Sequence, residues 1–199
     1  MSGMKFVGMS GSLRRHSYNA GLLRAAVQAM PVGATLAVET IADVPLYNAD
    51  VEAEGMPASV ARLKEAVAAA DGLLLVTPEY NNGVPGVFKN AIDWMSRPAS
   101  DIPQLFGGKP VALIGASPGG FGTILAQNGW LPTLRTLGVR LWAGERLMVS
   151  GAGKAFDAEG NLVDEAVRER LAHFLAGFVG SLPAPLPLRK SHSRSATTR

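Results

Sequence analysis

An unbroken apolar run, Leu73-Leu74-Leu75-Val76, stops against Thr77-Pro78. A strand that is apolar at every position is buried on both faces, so helices must cover both sides of its sheet. Pro78 has no N–H with which to extend a ladder, and the chain must leave the sheet at its carboxyl edge. There it becomes a polar and aromatic loop shaped by Gly and Pro, and a helix begins near Val87. Ligands of open α/β sheets bind outside that edge. A rigid loop carrying Tyr80, Asn81 and free amides suits a flat heteroaromatic ligand with one apolar face and several hydrogen-bonding atoms.

Strand and helix patterns alternate along the rest of the chain, as in a parallel sheet wound on both sides. Strands are expected over Lys5 to Ser10, Thr35 to Ile41, Gly72 to Val76, Lys109 to Ala116, and Val139 to Val149 with an interruption near Gly144. Helical spacing covers Asn19 to Met30, with Leu22, Leu23, Ala26 and Val27 on one face, and Ala58 to Ala70, with Val60, Leu63 and Val67. It returns over Phe88 to Ser96 and Thr123 to Leu137, the latter with Leu131, Leu134 and Leu137 on one side. Val163, Val167, Leu171, Phe174 and Phe178 line a last helix, on which His173 reads as a partly buried residue. Asp43 to Pro57 reads as a polar connection. The pattern matches an α/β, flavodoxin-like, doubly wound five-stranded parallel sheet, and that class carries the expectation of the strand order 2-1-3-4-5. Residues 1–182 are expected to form this domain, and 183–199 a basic tail expected to be mobile.

A second loop leaves the first strand as Gly11-Ser-Leu-Arg-Arg-His-Ser-Tyr-Asn19 and runs into a helix. It offers the Ser12 and Ser17 hydroxyls, the Arg14 and Arg15 charges, the Asn19 amide and the first free N–H groups of the helix. Such a start attracts a phosphate dianion, and hydroxyls and guanidinium add charge-assisted bonds. Ser17 also suits a plain helix cap. With one glycine where the dinucleotide fingerprint needs three, the loop fits a terminal monophosphate better than a pyrophosphate. Gly151-Ala-Gly-Lys-Ala155 imitates a P-loop but lacks its first glycine and the Ser or Thr after Lys154.

Charge and composition remove several function classes. Net charge is +3, but the tail holds four basic residues and no acid, so +3 less +4 leaves −1 on the folded part. No basic face for nucleic acid is expected from that balance. With no cysteine there is no disulfide, thiolate metal site or Cys nucleophile, and any redox chemistry must come from a cofactor. Three scattered histidines make no metal motif. Asp157, Glu159 and Asn161 resemble a calcium loop, but their glycine falls at the fourth position rather than the sixth, so an ordinary polar turn is expected. No run approaches the roughly 18 apolar residues of a membrane span, and the start of the chain lacks a secretory signal core, so a cytoplasmic protein is expected.

Gly11-Ser12-Leu13-Arg14 with Ser17 and Asn19, Thr77-Pro78-Glu79-Tyr80-Asn81, and Pro85-Gly86 with Lys89-Asn90-Ala91-Ile92-Asp93-Trp94 together resemble the NADPH-dependent FMN reductase family. This is the flavodoxin-like group that includes chromate-reducing quinone reductases and azoreductases, and the resemblance spans about residues 4–180. It implies non-covalent FMN and NADPH or NADH as hydride donor. Ser12, Leu13, Arg14, Arg15, His16, Ser17, Tyr18 and Asn19 would hold the phosphate. Pro78, Glu79, Tyr80 and Asn81 would contact the ring, and Ser117 would close its other side. It also implies a homodimer or homotetramer, with the third helix, Arg97 and the Trp130 region as interface elements or as intrachain packing.

The implied function is ping-pong transfer of hydride from NAD(P)H through FMN to a small-molecule acceptor: a quinone, flavin, azo compound or metal oxyanion such as chromate. No side-chain nucleophile or base is required, and Glu79 reads as a loop carboxylate bonded to neighbouring amides. A flavodoxin-like electron carrier or a flavin-binding regulatory module without turnover are the alternatives. The near-neutral folded part disfavours the carrier, which needs an acidic docking face. Donor preference and physiological acceptor stay open.

Overall fold

One parallel sheet organises the chain in the computed structural model, which describes residues 3–183. The basic tail expected from residue 183 onward lies outside the described residues after its first position. Strands β1 (Met4–Ser10), β2 (Ala34–Glu39), β3 (Gly72–Val76) and β4 (Pro110–Ala116) pair in the order β2-β1-β3-β4. Two short stretches, β5 (Arg140–Leu141) and β6 (Leu147–Val149), both pair with β4 and together act as one interrupted fifth strand. The 2-1-3-4-5 order is therefore present, with the expected break around Gly144.

The helices are α1 (Tyr18–Gln28), α2 (Ala49–Glu54), α3 (Ala58–Ala69), α4 (Gly86–Met95), α5 (Ile102–Leu105), α6 (Ile124–Thr136), α7 (Ala152–Ala155) and α8 (Glu165–Gly180). Side chains of β3 alternate between two cores, as the pleat requires. Leu74 and Val76 join Phe6, Leu22, Leu23, Leu171, Phe174 and Phe178 under α1 and α8. Leu73 and Leu75 join Met9, Leu63, Val67, Phe88, Ile92, Trp130 and Leu134 under α3, α4 and α6. Each such side chain contributes roughly 1.5–3 kcal/mol when fully buried.

The helix stripes differ in detail from the sequence pattern. Val27 (40% exposed), Leu131 (44%) and Val163 (52%) face outward. Along α6 and its C-cap the buried row runs through Trp130, Leu134 and Leu137, so Leu134 and Leu137 face inward as expected and only Leu131 gives way, because the Trp130 indole fills the space beside Phe88. His173 is exposed rather than partly buried, and its Nε2 lies 3.1 Å from a Glu145 carboxylate oxygen. The Asp43–Pro57 connection contains α2, which buries no residue and so leaves no apolar period to read. Its one local sign is Asn48, whose side chain accepts from Asp50 N. Trp130 is fully buried and Trp94 donates to Pro45 O, so both serve packing within the chain.

Candidate active site

The carboxyl ends of β1, β3 and β4 carry three loops that meet in one cleft of about 390 Å³. The first loop leaves β1 still paired, with Gly11 N donating to Val76 O at 2.9 Å. A Cβ on Gly11 would sit 2.4 Å from the Phe88 ring, so only glycine lets the loop turn here. Farther on, Ser17 N donates to Arg14 O at 3.1 Å. The buried Ser17 hydroxyl accepts from Asn19 N and Ala20 N at 3.2 and 3.3 Å and caps α1, a contact of about 1 kcal/mol. Its own proton is spent in neither bond.

Asn19 is buried and fully used. Its Oδ1 accepts from Ala116 N and its Nδ2 donates to Ala116 O, both at 2.9 Å. It staples the start of α1 to the end of β4. The amide assigned to phosphate by the sequence pattern is thus bonded to main chain, although the residue still lines the cleft.

Between those anchors the loop is open. Among the described residues, no acceptor partners the amides of Leu13, Arg14, Arg15, His16 or Tyr18. The Arg14 guanidinium lies 4.9 Å above the Tyr18 ring, a cation–π contact that sets the charge at the cleft, and Tyr18 rests on Phe156 at 5.2 Å. The 157–161 turn backs this loop. His16 Nδ1 lies 3.2 Å from Glu159 O, and Arg24 donates to Gly160 O at 2.9 Å. A Cβ on Gly21 would meet Gly160 O at 1.9 Å, so glycine is what lets α1 approach the turn. The Asn161 backbone amide donates to Asp157 Oδ1 at 2.7 Å and holds that carboxyl below the usual aspartate range.

The second loop is bonded both within itself and to β4 and α6. Thr77 N donates to Ile114 O, and the buried Thr77 hydroxyl donates to Pro78 O at 2.9 Å while accepting from Trp130 Nε1 at 3.1 Å. Glu79 Oε2 accepts from Leu125 N and Ala126 N at 2.8 and 2.9 Å. Tyr80 and Gly83 exchange two backbone bonds around Asn81 (φ 49°) and Asn82 (φ 61°). Positive φ at both central residues is the type I′ hairpin, which asparagine tolerates. Tyr80 is 48% exposed, and its hydroxyl donates to Ser12 Oγ at 3.3 Å, spanning the two loops.

The third loop follows β4. Ser117 N donates to Val149 O at 2.9 Å, and its carbonyl accepts from Ala152 N at 3.1 Å. Gly119 N donates to Ser117 Oγ at 3.3 Å.

Of the sequence-assigned residues, Ser12, Arg14, Ser17, Tyr18 and Asn19 line the cleft on one side. Pro78, Glu79, Tyr80 and Ser117 line the other. Leu13, Arg15, His16 and Asn81 do not line it. Leu13 is half exposed, His16 is turned to Glu159, and Asn81 forms the hairpin tip. Ala116 and Pro118 line it as well. Pro118 sits beside an assigned residue, whereas Ala116 carries no chemical signal in the sequence.

A doubly wound sheet in this strand order, with its cleft between the β1 and β3 loops, is of the flavodoxin-like class. The chain belongs to the NADPH-dependent FMN reductase family, whose sequence model matches residues 4–154. It is 48% identical over 166 residues to an NAD(P)H-dependent FMN reductase of Pseudomonas aeruginosa, covering 83% of this chain and 88% of that protein. A quinone reductase of Pseudomonas putida is 36% identical over 181 residues, 91% of this chain and 94% of the relative. Among solved structures, the flavoenzyme NAD(P)H:(acceptor) oxidoreductase FerB of Paracoccus denitrificans superposes with a TM-score of 0.79 at 35% identity, covering 89% of this chain and 96% of that one.

Proposed function

We propose that this chain is an NAD(P)H-dependent FMN reductase that uses FMN in the 390 Å³ cleft to reduce small acceptors such as quinones. One observation carries the reading: a donor-rich loop with unspent amides faces a loop whose polar groups are bonded in place by β4 and α6 across a single cleft. A phosphate monoester has only acceptor oxygens. The unpartnered amides of Arg14 and Tyr18 at the cleft, with those of Leu13, Arg15 and His16 beside it, the Ser12 and Ser17 hydroxyls and the Arg14 charge are the donor set it needs. The Pro78–Tyr80 strip and Ala116–Pro118 supply two walls for a flat ring, and the Tyr80 hydroxyl reaches the phosphate end.

FMN, when bound, supplies the two-electron chemistry between NAD(P)H and acceptor. The protein's own part is alignment. Asn19 fixes the distance between the β1 and β4 loops, and the Thr77 and Glu79 bonds fix the ring wall. Glu79 is engaged with two amides, which supports an anchor rather than a proton donor.

Assembly into a homodimer or homotetramer is part of the proposal. Phe121 (84% exposed), Leu125 (43%) and Val87 (37%) are large apolar side chains on the segments that frame the cleft. Exposed apolar side chains of this kind support a protein partner where they join into one patch. Among the described residues no helix is long and apolar enough to cross a membrane.

The test is to purify the protein, record its visible spectrum, and titrate it anaerobically with NADPH and with NADH. A flavin spectrum that bleaches with either donor and recovers with a quinone supports the reading. A protein that stays colourless after incubation with FMN overturns it.

A further inference from the structure

We infer that α6 is a strut for the ring wall and that Glu79 is a positioning residue that locks the wall to it. The inference deepens the FMN reading and rests on it. The 77–84 loop touches α6 at three successive places on one side of the helix. Glu79 Oε2 accepts from the amides of Leu125 and Ala126 at 2.8 and 2.9 Å. One turn later Gly129 leaves room for Val84, whose Cγ2 would lie 3.1 Å from any Cβ there. Beside it the buried Trp130 indole donates to Thr77 Oγ1, and the Thr77 hydroxyl in turn donates to Pro78 O.

The helix is built to need this partner. Its N-cap, Thr123, makes no side-chain capping bond, so the amides of the first turn have no local acceptor there. Glu79 supplies the acceptor from a distant part of the chain, and its negative charge faces the positive end of the helix. The carboxylate therefore satisfies the helix and fixes the loop at once. Pro78 and Tyr80, on either side of it, line the cleft. The wall cannot shift unless α6 shifts with it.

Two kinds of variant test this. Glu79→Ala removes both bonds and raises the FMN dissociation constant by about tenfold or more, the scale of a lost charge-assisted bond. Glu79→Gln keeps an acceptor oxygen and restores most of that loss. Thr77→Val changes a fully buried residue that does not line the cleft, and it also weakens FMN binding and alters the visible circular dichroism of the bound flavin. Thermal melts without flavin identify any variant that fails to fold. Glu79→Gln stands in for an unfolded alanine variant.

If wild type binds FMN and Glu79→Ala binds it as tightly, the strut role is wrong. If Glu79→Gln binds FMN normally but loses turnover as completely as alanine, Glu79 is a proton donor and the inference fails. If wild type itself takes up no FMN, the functional reading has failed, which is a separate result.

Discussion

The two loops that form the cleft are opposites. The β1 loop is anchored at its ends, by Gly11 on Val76 and by Ser17 and Asn19 on α1 and β4, and leaves its middle amides unspent. The β3 loop is bonded at nearly every step, through Thr77, Glu79 and the Tyr80–Gly83 hairpin. A site for a charged, flexible phosphate keeps donors free, because each free amide is attraction held in reserve for the ligand. A site for a flat ring keeps its shape fixed, because an ordered wall loses little further entropy when the ring arrives. One half of the cleft therefore recognises by unsatisfied chemistry and the other by geometry already set.

The largest break in that contrast comes from the staple that anchors the end of the β1 loop to β4. Asn19→Leu strands the Ala116 N–H and carbonyl in a buried place and is expected to cost about 2–4 kcal/mol in urea unfolding. A loss below half a kilocalorie would mean that the loop ends are not anchored as described. Next, Arg14→Gln removes charge from the donor-rich half alone. FMN affinity is expected to fall about tenfold while riboflavin affinity, lacking the phosphate, stays level, as fluorescence titration can show. Equal losses for both ligands would place Arg14 against the ring. Ser17→Ala removes the α1 cap and is expected to cost about 1 kcal/mol, measured by the same unfolding.

The smallest effect is acid sensitivity behind the β1 loop. Asp157's carboxyl is held below its ordinary value by the Asn161 amide. As pH drops, the unfolded chain takes up that proton before the folded chain does. The stabilisation is therefore complete above the ordinary aspartate value and is lost as pH falls toward the lower folded value. Asp157→Asn, which keeps an acceptor but has no proton to gain, is expected to show a shallower drop in melting temperature between about pH 5 and pH 3. Parallel curves for the two proteins would remove Asp157 from the account.

Much of this contrast is legible in the sequence, and its limits have physical causes. The Pro78 stop, the 77–94 motif and the Gly11–Asn19 run locate both loops, because ladder chemistry and helix starts are local properties. Which side chain faces inward is not local. Leu13, Arg15 and His16 share a loop with Arg14, yet only the fold turns Arg14 onto Tyr18 and His16 onto Glu159. Asn19 looks like a ligand and is bonded to a strand 97 residues away. Glu79 reads as bonded to neighbouring amides, but those amides belong to a helix nearly fifty residues downstream. Leu131 fits the core by spacing, and the buried Trp130 takes its place in the inner row.

The most direct measurement is a fluorescence titration of the flavin-free protein with FMN and, in parallel, with riboflavin. The account predicts saturable one-to-one FMN binding, and riboflavin weaker by at least about tenfold because only FMN engages the open amides and Arg14. Equal affinity for the two flavins, or no saturation with FMN at all, would contradict it.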